Sequence, residues 1–328
     1  MRDLTRDVVR GLTVLEMETV NVSDRPIFNH AAVNDKSMTY ADTVFPTFAF
    51  LAGMSPTPLS RGAGLVGLGL AYNSLQFIRI RRGDRIKPRF VGVLQRTGLS
   101  AMLFNSFPSL CPRYPVLVTA LWSVITIGLA KNKRHPFDAP ENTAQTKIDS
   151  ALFSDKSLYR PEYDPEGVLG SMMTAVSMWF GAYYAREKMT LGDSAITGGT
   201  LIGVGSALAY FVPSFFPVSK PFWTPSFTLI AAGYSMIKYG AVAAAVPHLP
   251  EPVTYALSCM GRRSIEVFFS SALLHNVLGR WDLWNRLKAK LAEYVGMTAA
   301  DLLMVGANNA LMAFLATVYV KYGLRIRY

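Results

Sequence analysis

Residues 10–53 read RGLTVLEMETVNVSDRPIFNHAAVNDKSMTYADTVFPTFAFLAG. This stretch is two hydrophobic segments joined by a polar loop. Arg10, Glu16, Glu18 and Asn21 lie in the first segment, His30 lies in the loop, and Asp42 opens the second. Ionisable groups at membrane depth cost several kcal/mol unless paired or wetted, so they mark a site by default. At about 100° per residue, Asp7, Arg10, Glu18 and Asn21 share one helix face and Glu16 lies on the opposite one. The polar face reads as the wall of an internal site. The alternative is an amphipathic helix lying on the membrane surface.

Outward from this stretch the composition is that of a membrane protein. Of 328 residues 51% are hydrophobic and 17% charged, and the mean hydropathy is positive. The fold class is therefore all-α, a polytopic integral membrane helix bundle treated as a single domain over 1–328. About ten windows are long and apolar enough to span: 8–22, 40–58, 62–80, 90–108, 114–130, 166–185, 194–216, 222–246, 264–280 and 300–320. The first ten residues lack the apolar core of a cleavable signal, so the first helix is expected to act as the targeting element. Cys111 and Cys259 have neither disulfide nor metal spacing, and no metal site is expected. The net charge of +11 sits in loops. In this context it implies membrane lipids as partners and no nucleic acid. Arg79, Arg81, Arg82, Arg85, Lys87 and Arg89 crowd one loop, and Lys131, Lys133, Arg134, Lys147, Lys156 and Arg160 another, so the side bearing His30 is expected to face inward.

Within this frame a few residues carry chemistry. Asp42 lies twelve residues after His30, and a carboxylate beside an imidazole fixes its tautomer and leaves the other nitrogen basic. Gln95 and Arg96 sit inside the fourth window. Arg96 is expected either to pair with an acid of the first helix or to grip an anionic ligand with its planar fork. The long polar connection 131–165 ends in Asp164-Pro165-Glu166-Gly167, which reads as a capped helix start beneath an ordered lid. Gly62-x-Gly64-x-x-Gly67 has no preceding strand, so it and Gly199-x-x-x-Gly203 read as close helix packing rather than a dinucleotide fingerprint. Glu266 and His275, nine residues apart, fall on opposite faces of one helix. Asn308 and Asn309 read as interhelical hydrogen-bond glue.

These motifs together resemble those of the transmembrane acetyltransferases of the heparan-α-glucosaminide N-acetyltransferase family. They are Asp7-x-x-Arg10-Gly11 with Val20-Asn21, His30-Ala31-x-x-Asn34, Ala41-Asp42-x-x-Phe45-Pro46, Gly92-Val93-Leu94-Gln95-Arg96, Asn142 with Ile148-Asp149, Asp164-Pro165-Glu166-Gly167, and Trp223-Thr224-Pro225-Ser226-Phe227. The resemblance covers the family's membrane core. It implies transfer of acetyl from acetyl-CoA, as co-substrate, to an amine of glucosamine type. His30 would be the catalytic imidazole, as base or as nucleophile, with Asn21 and Asp42 supporting it and Arg10, Gln95, Arg96, Asp164 and Glu166 on the acetyl-CoA side. The sequence departs from the pattern in the short loop 22–29, in Val33-Asn34-Asp35, and at Glu16 and Glu18. Those departures frame the alternative: a catalytically degenerate homologue serving as an accessory subunit, in a homodimer or a larger membrane complex. A transporter is a third reading. An endomembrane or lysosomal location follows from the family, and the basic charge fits a mitochondrial inner membrane equally well.

Overall fold

The computed structural model describes residues 3–55, 58–78, 89–106, 111–154 and 157–327. Most of the first basic loop (Arg79, Arg81, Arg82, Arg85 and Lys87), together with Lys156, lies outside the described residues. Among the described residues the fold is all-helical, with thirteen α-helices and one isolated bridge, Arg160 with Tyr163. The helices are α1 (Leu4–Val22), α2 (Val44–Gly53), α3 (Leu59–Ser74), α4 (Val93–Asn105), α5 (Tyr114–Leu129), α6 (Ala144–Leu152), α7 (Gly170–Glu187), α8 (Leu191–Phe211), α9 (Pro225–Ala245), α10 (Glu251–Arg262), α11 (Ser264–Arg280), α12 (Leu283–Val295) and α13 (Met297–Lys321).

Each of the ten apolar windows carries a helix. Among the described residues three stretches are long and apolar enough to cross a membrane: Leu191–Phe211, Pro225–His248 and Met297–Lys321. The others are shorter or more polar. At 1.5 Å per residue the ten residues of α2 rise about 15 Å, half of a hydrocarbon core of about 30 Å. α6, α10 and α12 lie outside the windows, because their charged faces keep mean hydropathy low.

The chain forms two compact units. The first comprises Met1–Asn29, Ser74–Ile86 and Ala241–Arg327. In it α1 packs on α10, and α13 packs on α1, α10, α11 and α12. A Cβ at Gly11 would overlap the Leu257 carbonyl, and one at Gly261 the Asp7 carbonyl, so α1 and α10 meet backbone to backbone. Glu18 is fully buried here. Its Oε2 accepts from Ser271 Oγ at 2.5 Å and Asn308 Nδ2 at 3.1 Å. Asn309 Nδ2 donates to Thr19 Oγ1 at 2.9 Å, so both asparagines do link helices. His275 meets Asn308 Oδ1 at 3.2 Å, while Glu266 turns to Arg263 and the Ile326 N–H, as their spacing requires. Glu16 is half-buried. Lys288 reaches Asp24 and, at 3.5 Å, Asp301, tying α12 to the ends of α1 and α13.

The second unit comprises His30–Asn73 and Lys87–Gly240. α7 is its axis, touching α2, α4 and α5. It is buried nearly all round from Gly170 to Gly181, as a central helix of small and apolar residues should be. Its seam with α2 has no side chains between the backbones, since a Cβ at Gly53 would overlap the Met178 carbonyl and one at Gly181 the Phe50 carbonyl. The glycine motifs are used selectively. Gly62 lies against Gly98 of α4, whereas Gly67, Gly199 and Gly203 face open space, and the α8–α9 crossing is made by Gly198 on Gly233. The Gly199-x-x-x-Gly203 expectation therefore fell on the wrong glycines: Gly198 and Gly205 are the ones that lie against α9.

Gly53→Ala should lower stability by about 1–3 kcal/mol, because the helices must part to admit one methyl. Gly199→Ala should leave it unchanged or slightly higher. Thermal unfolding of the detergent-solubilised protein, followed by loss of the monodisperse species, reads both.

Candidate active site in the second unit

The site starts from a short turn. Tyr40–Thr43 form a 3-10 turn leading into α2, closed by a capping box between Thr39 and Asp42. Asp42 Oδ2 accepts from the Thr39 N–H at 3.0 Å, Thr39 Oγ1 at 3.1 Å and the Ala31 N–H at 3.2 Å. Oδ1 is left for His30 Nδ1 at 2.8 Å. The carboxylate is buried, while the imidazole is half exposed, at 49%. With Nδ1–H donating to Asp42, Nε2 is the basic nitrogen. This is the arrangement that the twelve-residue spacing led us to expect.

The sequence reading did not include Lys220 in this group. Its Nζ stands 3.0 Å from His30 Nδ1, 3.4 Å from Nε2 and 3.5 Å from Asp42 Oδ1. Burial pushes the amine below the ordinary lysine value, against the pull of Asp42 and Glu166. A signal was present: Lys220 is the sole charged residue between Asp193 and Lys238. It is held by the turn that follows, where the Trp223 N–H donates to the Lys220 carbonyl at 3.0 Å. Trp223 has φ +48°, a left-handed conformation that a bulky side chain adopts only when its surroundings hold it there. The indole is fully buried against Phe45 and Phe227 and donates to Ser177 Oγ.

Beside this lies a second polar cluster. Arg89 grips Asp164 through two nitrogens, at 2.7 and 3.2 Å, and also contacts Glu166. Burial opposes the guanidinium charge, yet Glu166 and Asp164 raise Arg89 above its usual value. Asp164 also accepts from the Tyr159 N–H at 2.8 Å and the Glu166 N–H at 2.9 Å. Asp164 thus organises a turn rather than capping a helix at Pro165; α7 begins only at Gly170. The described residues of the connection 131–165 carry α6 and a 3-10 turn, Pro140–Asn142.

Arg96 is buried, donates to the Gly167 carbonyl at 3.0 Å and stacks on Trp223 at 5.1 Å. It pairs with no acid of the first helix; the acids around it are Glu166, Asp149 and Asp164. Among the described residues three buried polar atoms here lack a hydrogen-bond partner, Arg96 Nε, Gln145 Oε1 and Asp149 Oδ2, as does Gln95 Nε2, whose side chain lies against Gly69 and Gly92. Ser219 Oγ, next to Lys220, lacks one as well. Arg10 and Asn21 belong to the first unit. There Arg10 meets Asp7 at 3.5 Å and the Gly261 carbonyl at 3.4 Å, and Asn21 is exposed on the last turn of α1.

The second unit thus brings His30, Asp42 and Lys220 together in one group, with Glu166 and Arg96 of the second cluster among the charges acting on Lys220. A buried carboxylate bonded to a half-exposed imidazole is suited to proton transfer or nucleophilic attack. Neither comparison with protein-family models nor comparison with curated proteins finds a match.

Asp149 sets a pH dependence. Burial pushes its carboxyl up to about 7, with a bond from the Val168 N–H and the charge of Arg96 pulling the other way. Because the folded value lies above the unfolded one, the stabilisation from the bound proton is complete below about pH 4 and lost as pH rises through about 7. Stability should fall over that window by about 2–4 kcal/mol. Asp149→Asn should flatten the dependence, as measured by thermal unfolding from pH 4 to 8.

Proposed function

We propose that this chain is a membrane-embedded acyltransferase-like protein, moving acetyl from acetyl-CoA to an amine of glucosamine type. In this reading the three spanning helices and the shorter ones form a bundle of about ten membrane segments. The observation that carries the proposal is the His30–Asp42 pair, with Nδ1 anchored at 2.8 Å and the ring half exposed. Nε2 is then the nitrogen that takes a proton from the acceptor amine or carries the acetyl group itself. The motif resemblance supplies the donor and acceptor classes. The partnerless Gln95 Nε2 and Arg96 Nε suit an anionic or carbonyl-bearing ligand, since buried donors of this kind are seldom left unpaired. Asp164 and Glu166 serve this side by holding Arg89 in place, and Arg10 and Asn21 are assigned by resemblance.

One observation favours a second reading. Lys220 stands against both ring nitrogens of His30, where a foreign acceptor would have to approach. A homologue that has given up its acceptor and serves as an accessory subunit, in a homodimer or a larger membrane complex, is consistent with that and with the shortened loop 22–29.

The purified protein should bind acetyl-CoA by calorimetry, and Arg96→Ala should weaken binding about tenfold or more, as loss of a charged hydrogen-bonding group does. His30→Ala should cut acetyl transfer by at least about a hundredfold and leave acetyl-CoA binding intact. Absence of binding at millimolar ligand would leave the accessory reading standing.

A further inference from the structure

The closest amine to the His30 imidazole is the chain's own. We propose that Lys220 is a self-acylation site: acyl thioesters transfer their acyl group to its Nζ with His30 as the base, giving an Nε-acyl-lysine that shuts the site. The inference rests on the acyl-transfer reading for the donor class only.

Three features of the second unit point this way. The first is proximity. Lys220 Nζ is 3.4 Å from His30 Nε2, and Nδ1 of the same ring is anchored on Asp42. Nζ also lies 3.0 Å from Nδ1, so a shift of a few tenths of an ångström toward Nε2 brings it within the range of about 2.6–3.2 Å over which a base takes a proton. The second is the state of the amine. Asp42 accepts its shortest bond from the ring, two more from Thr39 of the capping turn and one from the Ala31 N–H, and its contact with Lys220, at 3.5 Å, is longer than all of these. Burial favours the neutral amine, and the neutral amine is the nucleophile. The third is access. The His30 ring is 49% exposed and the Lys220 side chain 14%, so an acyl group must approach Nζ across the exposed ring.

The step balances without a further reactant. The Nζ lone pair attacks the thioester carbonyl carbon, the N–C bond forms, and the C–S bond breaks. The proton lost by Nζ passes to Nε2 and then to the departing thiolate, leaving an amide and a free thiol. The product has no charge at Nζ, so Asp42 loses a cation and His30 is left beside a bulkier, neutral group. An amide does not return its acyl group under the conditions that formed it. Modification therefore ends activity at this site.

The full-length protein in detergent would be incubated with acetyl-CoA and, separately, with the small thioester S-acetyl-N-acetylcysteamine, and acetylation at each lysine measured by peptide mass spectrometry. Lys188 and Lys290, both exposed, are the internal references. Lys220 should be acetylated at least about tenfold faster than either, and His30→Ala should bring it down to their rate or below, within the range of general-base effects. Thermal unfolding of His30→Ala, together with unchanged labelling of Lys188, shows that the variant is folded. Should it not be, His30→Gln is the second variant. Lys220 reacting no faster than the references, or equally fast without His30, overturns the proposal. Acetylation by the small thioester but not by acetyl-CoA sustains it while removing the acetyl-CoA reading. Binding of acetyl-CoA with Lys220 unmodified does the reverse.

Discussion

The contact on which the second unit depends is the backbone-to-backbone seam of α2 and α7. Gly53 and Gly181 let each helix lie against a carbonyl of the other, an approach closer than side chains allow. Asp42 stands two residues before α2 and is capped onto the same turn, so the seam fixes where its carboxylate points. Trp223, buried beside Phe45 at the first turn of α2, fixes the turn that presents Lys220. The imidazole is the least constrained member of the group, which suits a residue that must meet a substrate.

Around that seam the second unit buries more polar groups than it pairs. Arg89 with Asp164 and Glu166 is a fully engaged cluster, and its effect is to order the turn between the Arg160–Tyr163 bridge and α7. Gln95, Arg96, Gln145 and Asp149 are different, each keeping one partnerless atom at full burial among the described residues. Such atoms cost about 1–3 kcal/mol each when dry. Natural proteins keep them where a water or a ligand completes the set. Arg96 is stacked on the ring of Trp223, and Gln145 and Asp149 both lie against Gly167.

The first unit uses its polar residues as fasteners. Glu18 is bonded to Ser271 and Asn308, Thr19 to Asn309, and Lys288 to Asp24 and Asp301. Each joins helices distant in sequence, as the polar groups of apolar bundles do. The polar stripe of α1 therefore divides. Asp7 and Glu18 are buried in helix contacts, Arg10 is half-buried on Asp7, and Asn21 is exposed.

The sequence by itself determined the helical class and the positions of ten helices, and it marked His30 and Asp42 as a candidate pair. Apolar periodicity and a twelve-residue loop are local properties, and local chemistry enforces them. It also marked Asn308 and Asn309 as links between helices, since an amide in an apolar helix has no other way to be satisfied. Only the tertiary structure decided the rest. α6, α10 and α12 have charged faces that hide them from a hydropathy window. The register of the glycine seams depends on which face a neighbour presents, so Gly198 rather than Gly199 is used. Asp164 took Arg89 in place of a helix N-terminus because an oppositely charged fork satisfies both carboxylate oxygens at once. Lys220 entered the site from 190 residues away, and no spacing along a chain encodes which distant amine folds back onto an imidazole.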